Sequence, residues 1–129
     1  MPTFTINGAN IHDISSFYTE INRVFMADED WKIGESLDAL NDLFYGGFGA
    51  LKEIDDFDLV WTNSQKSKED LGKKTTLAYY YNKLKAPEIF NTKFVQQKIQ
   101  ELENGEGQTY FEIIVEIIES HSQIRFIDA

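Results

Sequence analysis

The chain of 129 residues contains no cysteine. Disulfide bonds and thiolate metal sites are therefore excluded, which fits a reducing compartment. There are only two histidines, His12 and His121, and neither stands in an H-x-H or H-E-x-x-H metal-binding pattern. The sequence also lacks a basic and apolar leader and any apolar run of membrane-spanning length, so we expect a cytoplasmic protein that has no membrane partner.

Basic residues are scarce and unevenly placed. The chain has 12 basic and 22 acidic residues, a net charge of −10. Residues 28–58 hold ten acidic and two basic residues, a net charge of −8, whereas residues 64–100 hold eight lysines against three acidic residues, a net charge of +5. An acidic chain is a poor candidate for binding nucleic acid, although its lysine-rich middle could form a local basic patch. The charge runs are either solvated faces or a field that steers a charged partner.

Hydrophobic periodicity predicts alternating strands and helices in one domain, 1–129. The predicted strands are 3–7, 57–61 and 124–127. The predicted helices are one that begins at Ser15 or Ser16, one from Ser36 to Gly46, two at 75–85 and 92–102, and one capped by Thr109 with Glu112. Residues 64–74 are polar and lysine-rich, and we expect a mobile loop. This order favours an α/β fold with a small parallel sheet covered by helices.

The two middle helices each have a predicted apolar face. These faces comprise Leu77, Tyr80, Tyr81 and Leu84, and then Phe94, Val95, Ile99 and Leu102. The run 79–81 could alternatively stack nucleic-acid bases, but core packing fits the surrounding acidity better. After the last helix, His121 is expected to be a cation that interacts favourably with the helix C-terminus.

The segment from Ser36 to Leu43 is the most informative part of the sequence. Ser36 is a good N-cap, and the following leucines recur at helical spacing. Asp38 and Asp42 are four residues apart and therefore lie one turn apart on one face, which suggests a cationic partner. An acid–base enzyme would need contrasting environments for the two carboxylates, and an exposed helix face offers none. The nearby run 55–58 has three aspartates but lacks the ligand spacing of a calcium loop.

Several short motifs together resemble the barstar family of ribonuclease inhibitors. They are Ile6-Asn7-Gly8, Ile11, Ile14-Ser15, the run from Gly34 to Leu43, and the ending with a helix through Glu116 followed by Ile124 to Ile127. The resemblance covers roughly the first 62 and the last 20 residues. It implies a three-stranded parallel sheet flanked by helices, with residues 64–104 as a helical insertion that diverges from the family. It also implies a non-enzymatic protein that blocks the active site of a microbial ribonuclease with acidic residues.

The resemblance also implies a set of partner-binding residues. Asp38 and Asp42 match the family's two interface aspartates, and Gly34 and Glu35 match the residues that open the inhibitory helix. Glu116 aligns with a third interface carboxylate by counting back from the last strand. Trp31 lies beside the position of a binding-loop aromatic, and Asn41 replaces a tryptophan.

The implied partner is a basic ribonuclease or a related toxin. We expect no cofactor, no metal ion and a monomer in the free state. The alternatives are a non-inhibitory acidic regulatory or scaffold protein on the same fold, or a carboxylate- or metal-dependent hydrolase.

Overall fold

The structure, a computed structural model, describes all residues from 1 to 129. The strands are β1 (Thr3–Asn7), β2 (Phe57–Thr62) and β3 (Ile124–Asp128). The helices are α1 (Ile14–Phe25), α2 (Leu37–Tyr45), α3 (Ser64–Asp70), α4 (Lys73–Lys83), α5 (Thr92–Glu103) and α6 (Tyr110–Ser120). Short 3-10 turns occupy Gly8–Asn10 and Gly49–Leu51. None of the helices combines the length and apolarity that a membrane span requires.

The three strands form one parallel sheet in the order β1-β2-β3. Residues alternate along β2, so that Phe57, Leu59 and Trp61 are buried while the residues between them are half-buried. These buried residues belong to a main cluster of 21 side chains contributed by the sheet, the helices and the segments that connect them. The predicted small parallel α/β sheet with helices is therefore confirmed.

Trp61 is the largest of the fully buried side chains in this main core. Its ring stacks on Phe17 of α1, with ring centroids 5.6 Å apart. Its indole N–H donates a hydrogen bond of 3.0 Å to the hydroxyl of Ser67 in α3, so the one polar atom of this large side chain is satisfied inside the core.

The structure corrects the predicted start of the first helix. Its N-cap is Asp13, not Ser15 or Ser16, because the Asp13 carboxylate accepts a hydrogen bond of 2.8 Å from the backbone N–H of Ser16. The Ser16 hydroxyl in turn accepts a hydrogen bond of 2.9 Å from the backbone N–H of Asp13. This reciprocal pair satisfies two backbone donors, so the helix begins two or three residues earlier than the serines alone indicate.

The prediction of a mobile loop at residues 64–74 is wrong. Residues 64–70 form α3, and α4 begins at Lys73. Leu71 and Ser67 are fully buried. The segment is ordered because it closes one side of the main core, even though most of its other side chains are charged or polar.

Helices α4 and α5 bury fewer apolar side chains than their sequences predict. Val95, Ile99 and Leu102 join Tyr80 in a second, small apolar cluster. Tyr81 and Phe94, both predicted to face inward, are 48% and 53% exposed. The Tyr81 hydroxyl instead donates a hydrogen bond of 2.7 Å to Glu103, the last residue of α5.

Candidate partner-binding face on α2

Helix α2 is fixed locally at both ends. The Ser36 hydroxyl accepts a hydrogen bond of 3.1 Å from the backbone N–H of Ala39, as the sequence predicts for an N-cap. The helix ends at Gly46, whose φ of 88° favours glycine. Between these ends Leu40 and Leu43 are fully buried, and they anchor one side of α2 in the core.

The opposite side of α2 is open to solvent. Asp38 and Asp42 are both exposed there, one turn apart. Tyr45 lies three residues beyond Asp42 and is 73% exposed. Sequence reasoning missed Tyr45, although the spacing of positions 38, 42 and 45 places all three on one helical face. Exposed tyrosines are common anchors of protein interfaces.

The loop before α2, which contains Trp31, Gly34 and Glu35, is tied to its surroundings. The Asn22 side chain of α1 accepts a hydrogen bond of 2.9 Å from the backbone N–H of Ile33. The Ser15 hydroxyl donates a hydrogen bond of 3.1 Å to Glu35.

Trp31 is half exposed in this loop and packs on Phe48, with ring centroids 5.2 Å apart. The contact joins the loops that precede and follow α2. Gly34 is exposed, and a Cβ atom there would meet nothing within 4 Å, so no contact requires glycine at this position.

Asn41 lies on the side of α2 that faces the end of α6. Its Oδ1 accepts a hydrogen bond of 2.7 Å from Nε2 of His121. His121 is 6% exposed, and burial lowers the pKa of its imidazole from the ordinary value of 6.5. The expectation of a cation at this helix end is therefore wrong, because the ring is buried against α2 and burial disfavours its charged form.

Glu116 is exposed on α6 but does not join the α2 aspartates in a common depression. Its carboxylate accepts a hydrogen bond of 2.6 Å from the Gln108 side chain. It borders a surface depression of about 470 Å³ that it shares with Lys68 of α3 and Glu119, and no residue of α2 lines this depression.

The charge of the 28–58 segment is largely uncompensated within the chain. Of its ten carboxylates only Asp58 makes an ion pair, at 3.4 Å from Arg125, which leaves nine without a charged partner. No three His, Asp or Glu side chains converge closely enough to hold a metal ion, and this includes the aspartates at 55–58. The site thus offers a capped helix with two exposed carboxylates, an exposed tyrosine in its last turn and a half-exposed tryptophan in the loop before it.

The fold and the site define a class of small α/β proteins that have a three-stranded parallel sheet and an exposed acidic helix. The sequence model of one family, described as barstar (barnase inhibitor), matches residues 1–81, and the chain belongs to this family. The matched range includes all of α2 and the loop before it, but not α5 or Glu116. Members of the family are inhibitors rather than enzymes. Comparisons with curated proteins and with solved structures gave no match.

Proposed function

We propose that this chain is an immunity protein that binds a ribonuclease or related toxin and blocks its active site with helix α2. The observation that carries the proposal is the exposed, unpaired carboxylate pair Asp38 and Asp42 on the α2 of a Barstar-family protein. The protein itself performs no catalysis in this proposal.

The chemistry of the target explains why carboxylates suit this role. A ribonuclease active site must hold a phosphate group, so it presents cationic donors from arginine, lysine or histidine. A carboxylate satisfies the same donors, and it can form two parallel hydrogen bonds with one arginine. Asp42 and Asp38 would therefore occupy positions that phosphate groups of the RNA otherwise take.

Preorganisation supports tight binding by this face. The Ser36 cap, the buried leucines and the Asn22–Ile33 hydrogen bond hold α2 and its preceding loop in place before any partner arrives. Less conformational freedom is then lost on binding, which favours affinity. Tyr45, at the end of α2, and Trp31, in the loop before α2, would supply the apolar contacts that carboxylates lack.

The remaining residues implied by the family resemblance take supporting roles in this proposal. Glu35 adds negative charge at the start of α2, and Gly34 leaves room for the partner to approach. Asn41 holds the helix against its neighbour. Glu116 would contact the partner only if the partner extends across α6, since it faces a separate depression.

The test is inhibition of ribonuclease activity in two candidate targets, barnase and the product of the reading frame beside this gene, by the purified protein and its variants. Asp38→Ala and Asp42→Ala should each weaken binding by about 2–5 kcal/mol, a range that draws on the barnase–barstar complex itself. Asp56→Ala is the matched control. It removes one exposed charge from the same acidic segment but leaves α2 intact, so it should weaken binding by well under 1 kcal/mol.

Two results would contradict the proposal in different ways. If the unaltered protein inhibits neither ribonuclease, the inhibitory function is wrong. If it inhibits one but both α2 variants bind with unchanged affinity, the acidic helix is not the inhibitory element. Circular dichroism spectra of the variants should match those of the unaltered protein, because both aspartates lie off the buried side of α2.

A further inference from the structure

The turn between α6 and β3 holds the second half of α2 through two side chains. His121 donates from Nε2 to the Asn41 side chain at 2.7 Å. Two residues later, the Gln123 side chain donates a hydrogen bond of 2.7 Å to the backbone carbonyl of Phe44. That carbonyl lies in the last turn of α2, where no intrahelical donor is available.

The imidazole of His121 also supports the aromatic residues at the end of α2. Its ring lies edge-on to Tyr45, with centroids 4.8 Å apart, and edge-on to Phe44 at 6.0 Å. Asn41 lies one residue before Asp42, so a shift of α2 away from His121 would displace both Asp42 and Tyr45. These are the two exposed side chains in the second half of the acidic face.

We propose that His121 is a positioning residue, which holds Asp42 and Tyr45 in their binding geometry through its hydrogen bond to Asn41 and its contact with the Tyr45 ring. His121 itself does not contact the partner in this proposal. The inference rests on the proposed function for its consequence in binding, but the arrangement it describes belongs to the free protein.

The protonation state of His121 bears on this role. Oδ1 of Asn41 accepts only, so Nε2 carries the proton and Nδ1 is the unprotonated nitrogen of the neutral ring. Asp55, from the segment before β2, and the Tyr45 phenol are the other titratable groups that line the depression around His121, and no lysine or arginine lines it. A second proton would make the ring a cation, which burial disfavours. The charged ring would therefore move toward solvent, and α2 would lose its contacts with it.

Amide hydrogen exchange on the free protein tests the positioning directly. His121→Phe keeps the ring but removes the hydrogen bond, and the amides of residues 43–45 should exchange about tenfold faster. His121→Gln places an amide N–H where Nε2 lies, and it should restore slow exchange. Amides of α1 are the internal control and should be unchanged in both variants. Equal exchange of residues 43–45 in the unaltered protein and in His121→Phe would overturn the proposal.

The pH profile separates positioning from simple packing. In the unaltered protein the protection of residues 43–45, corrected for the intrinsic pH dependence of exchange, should fall when the pH drops through the titration of His121. The His121→Gln variant should show no such step, because its amide does not titrate. An identical step in both proteins would assign the effect to another group and would count against the proposal.

Binding to the ribonuclease that the protein inhibits gives the functional readout. His121→Phe should dissociate about tenfold faster, and His121→Gln at nearly the rate of the unaltered protein. The effect of His121→Phe should shrink in an Asp42→Ala background, because the side chain through which it acts is then absent. A full effect in that background would refute positioning through Asp42. If no ribonuclease is bound, the proposed function fails, while the exchange experiment still decides the role of His121.

Discussion

The buried carboxylate of Glu20 offers the sharpest test of what stabilises this fold. Glu20 is 2% exposed in the middle of α1. It accepts a hydrogen bond of 2.7 Å from the backbone N–H of Asn7 at the end of β1 and one of 3.1 Å from the Asn10 side chain. Arg23 completes the arrangement with two bonds of 2.7 Å. One carboxylate thus joins α1 to the turn that follows β1.

The loss of stability in Glu20→Ala depends on whether each hydrogen-bond donor of the carboxylate can find another partner. Arg23 is more than half exposed and Asn10 lies at the surface, so both donors would turn to water at little cost. The Asn7 N–H is partly buried and would be left unpaired, and one charge-assisted hydrogen bond would be lost. We therefore expect Glu20→Ala to lower the free energy of unfolding by about 2–4 kcal/mol, not by four full hydrogen bonds.

Urea and thermal unfolding measure this change. For a chain of this length the melting temperature should fall by roughly 3–5 °C per kcal/mol. Glu119→Ala, which removes an exposed glutamate from α6, is the control and should change stability by less than about 0.5 kcal/mol. If Glu20→Ala unfolds at the same urea concentration as the control, the carboxylate does not stabilise the junction of α1 and β1.

The pH dependence of stability has a definite sign at this site. Burial raises the pKa of Glu20, but the hydrogen bonds from Arg23, Asn7 and Asn10 together outweigh it and lower the pKa from its ordinary value of 4.5. The unfolded chain therefore binds a proton at higher pH than the folded protein does. The stabilisation is complete above about pH 4.5 and is lost as the pH falls through the folded-state pKa. Glu20→Ala should show less loss of stability in this acid range than the unaltered protein.

Two further predictions concern the middle of the chain and the kinetics of binding. Leu71→Ala should lower the free energy of unfolding, measured in urea, by about 2–5 kcal/mol, because Leu71 is fully buried. Lys68→Ala, which alters an exposed residue, is the control and should have little effect. A change below about 0.5 kcal/mol for Leu71→Ala would mean that α3 does not pack on the core. Association with the ribonuclease should slow steeply as salt rises, because the charge of −8 in residues 28–58 is screened over about 8–10 Å, with a smaller change in dissociation. An association rate that is flat across salt concentrations would exclude electrostatic steering.

The sequence correctly predicts the helices whose ends are determined by capping residues and apolar spacing within the same segment. Helix α2 follows from the Ser36 cap, the leucine spacing and Gly46, and all of these act within one segment. The Thr109–Glu112 capping box likewise predicts the start of α6, and both of its hydrogen bonds are present. The parallel sheet follows from the order of the elements and the long connections between strands.

The elements that sequence reasoning missed depend on contacts between distant segments. Nothing near Ser67 indicates that its hydroxyl will accept from the buried indole of Trp61, yet this contact holds α3 on the core. Burial favours the neutral state of His121, and the ring is buried beside Asn41, which lies eighty residues away along the chain. Neither the polar composition of residues 64–74 nor the position of His121 at a helix end predicts these contacts. Both depend on burial against segments that are distant in the sequence.

The 64–104 region is joined to the main core through the start of α6. The backbone N–H of Tyr110 donates to Thr76 at 2.7 Å, and that of Phe111 donates to the carbonyl of Leu71 at 3.1 Å. The Tyr79 ring packs on the Tyr110 ring with centroids 5.1 Å apart. Two of the free amides in the first turn of α6 thus depend on this region. We infer that residues 1–129 form one domain, in which α3 and α4 support the helix that leads to His121.

The charges beside the two halves of α2 bear on how a cationic partner would approach it. Leu37, at the start of α2, borders a depression of about 320 Å³ that is lined by two lysines and two glutamates, so the charged side chains of this lining balance. The depression around His121, next to the second half of α2, is lined by Asp55 and by no lysine or arginine. The second half of α2, which carries Asp42, therefore has the more negative surroundings. A cationic partner is expected to centre on this half of the helix, which is the half that His121 holds.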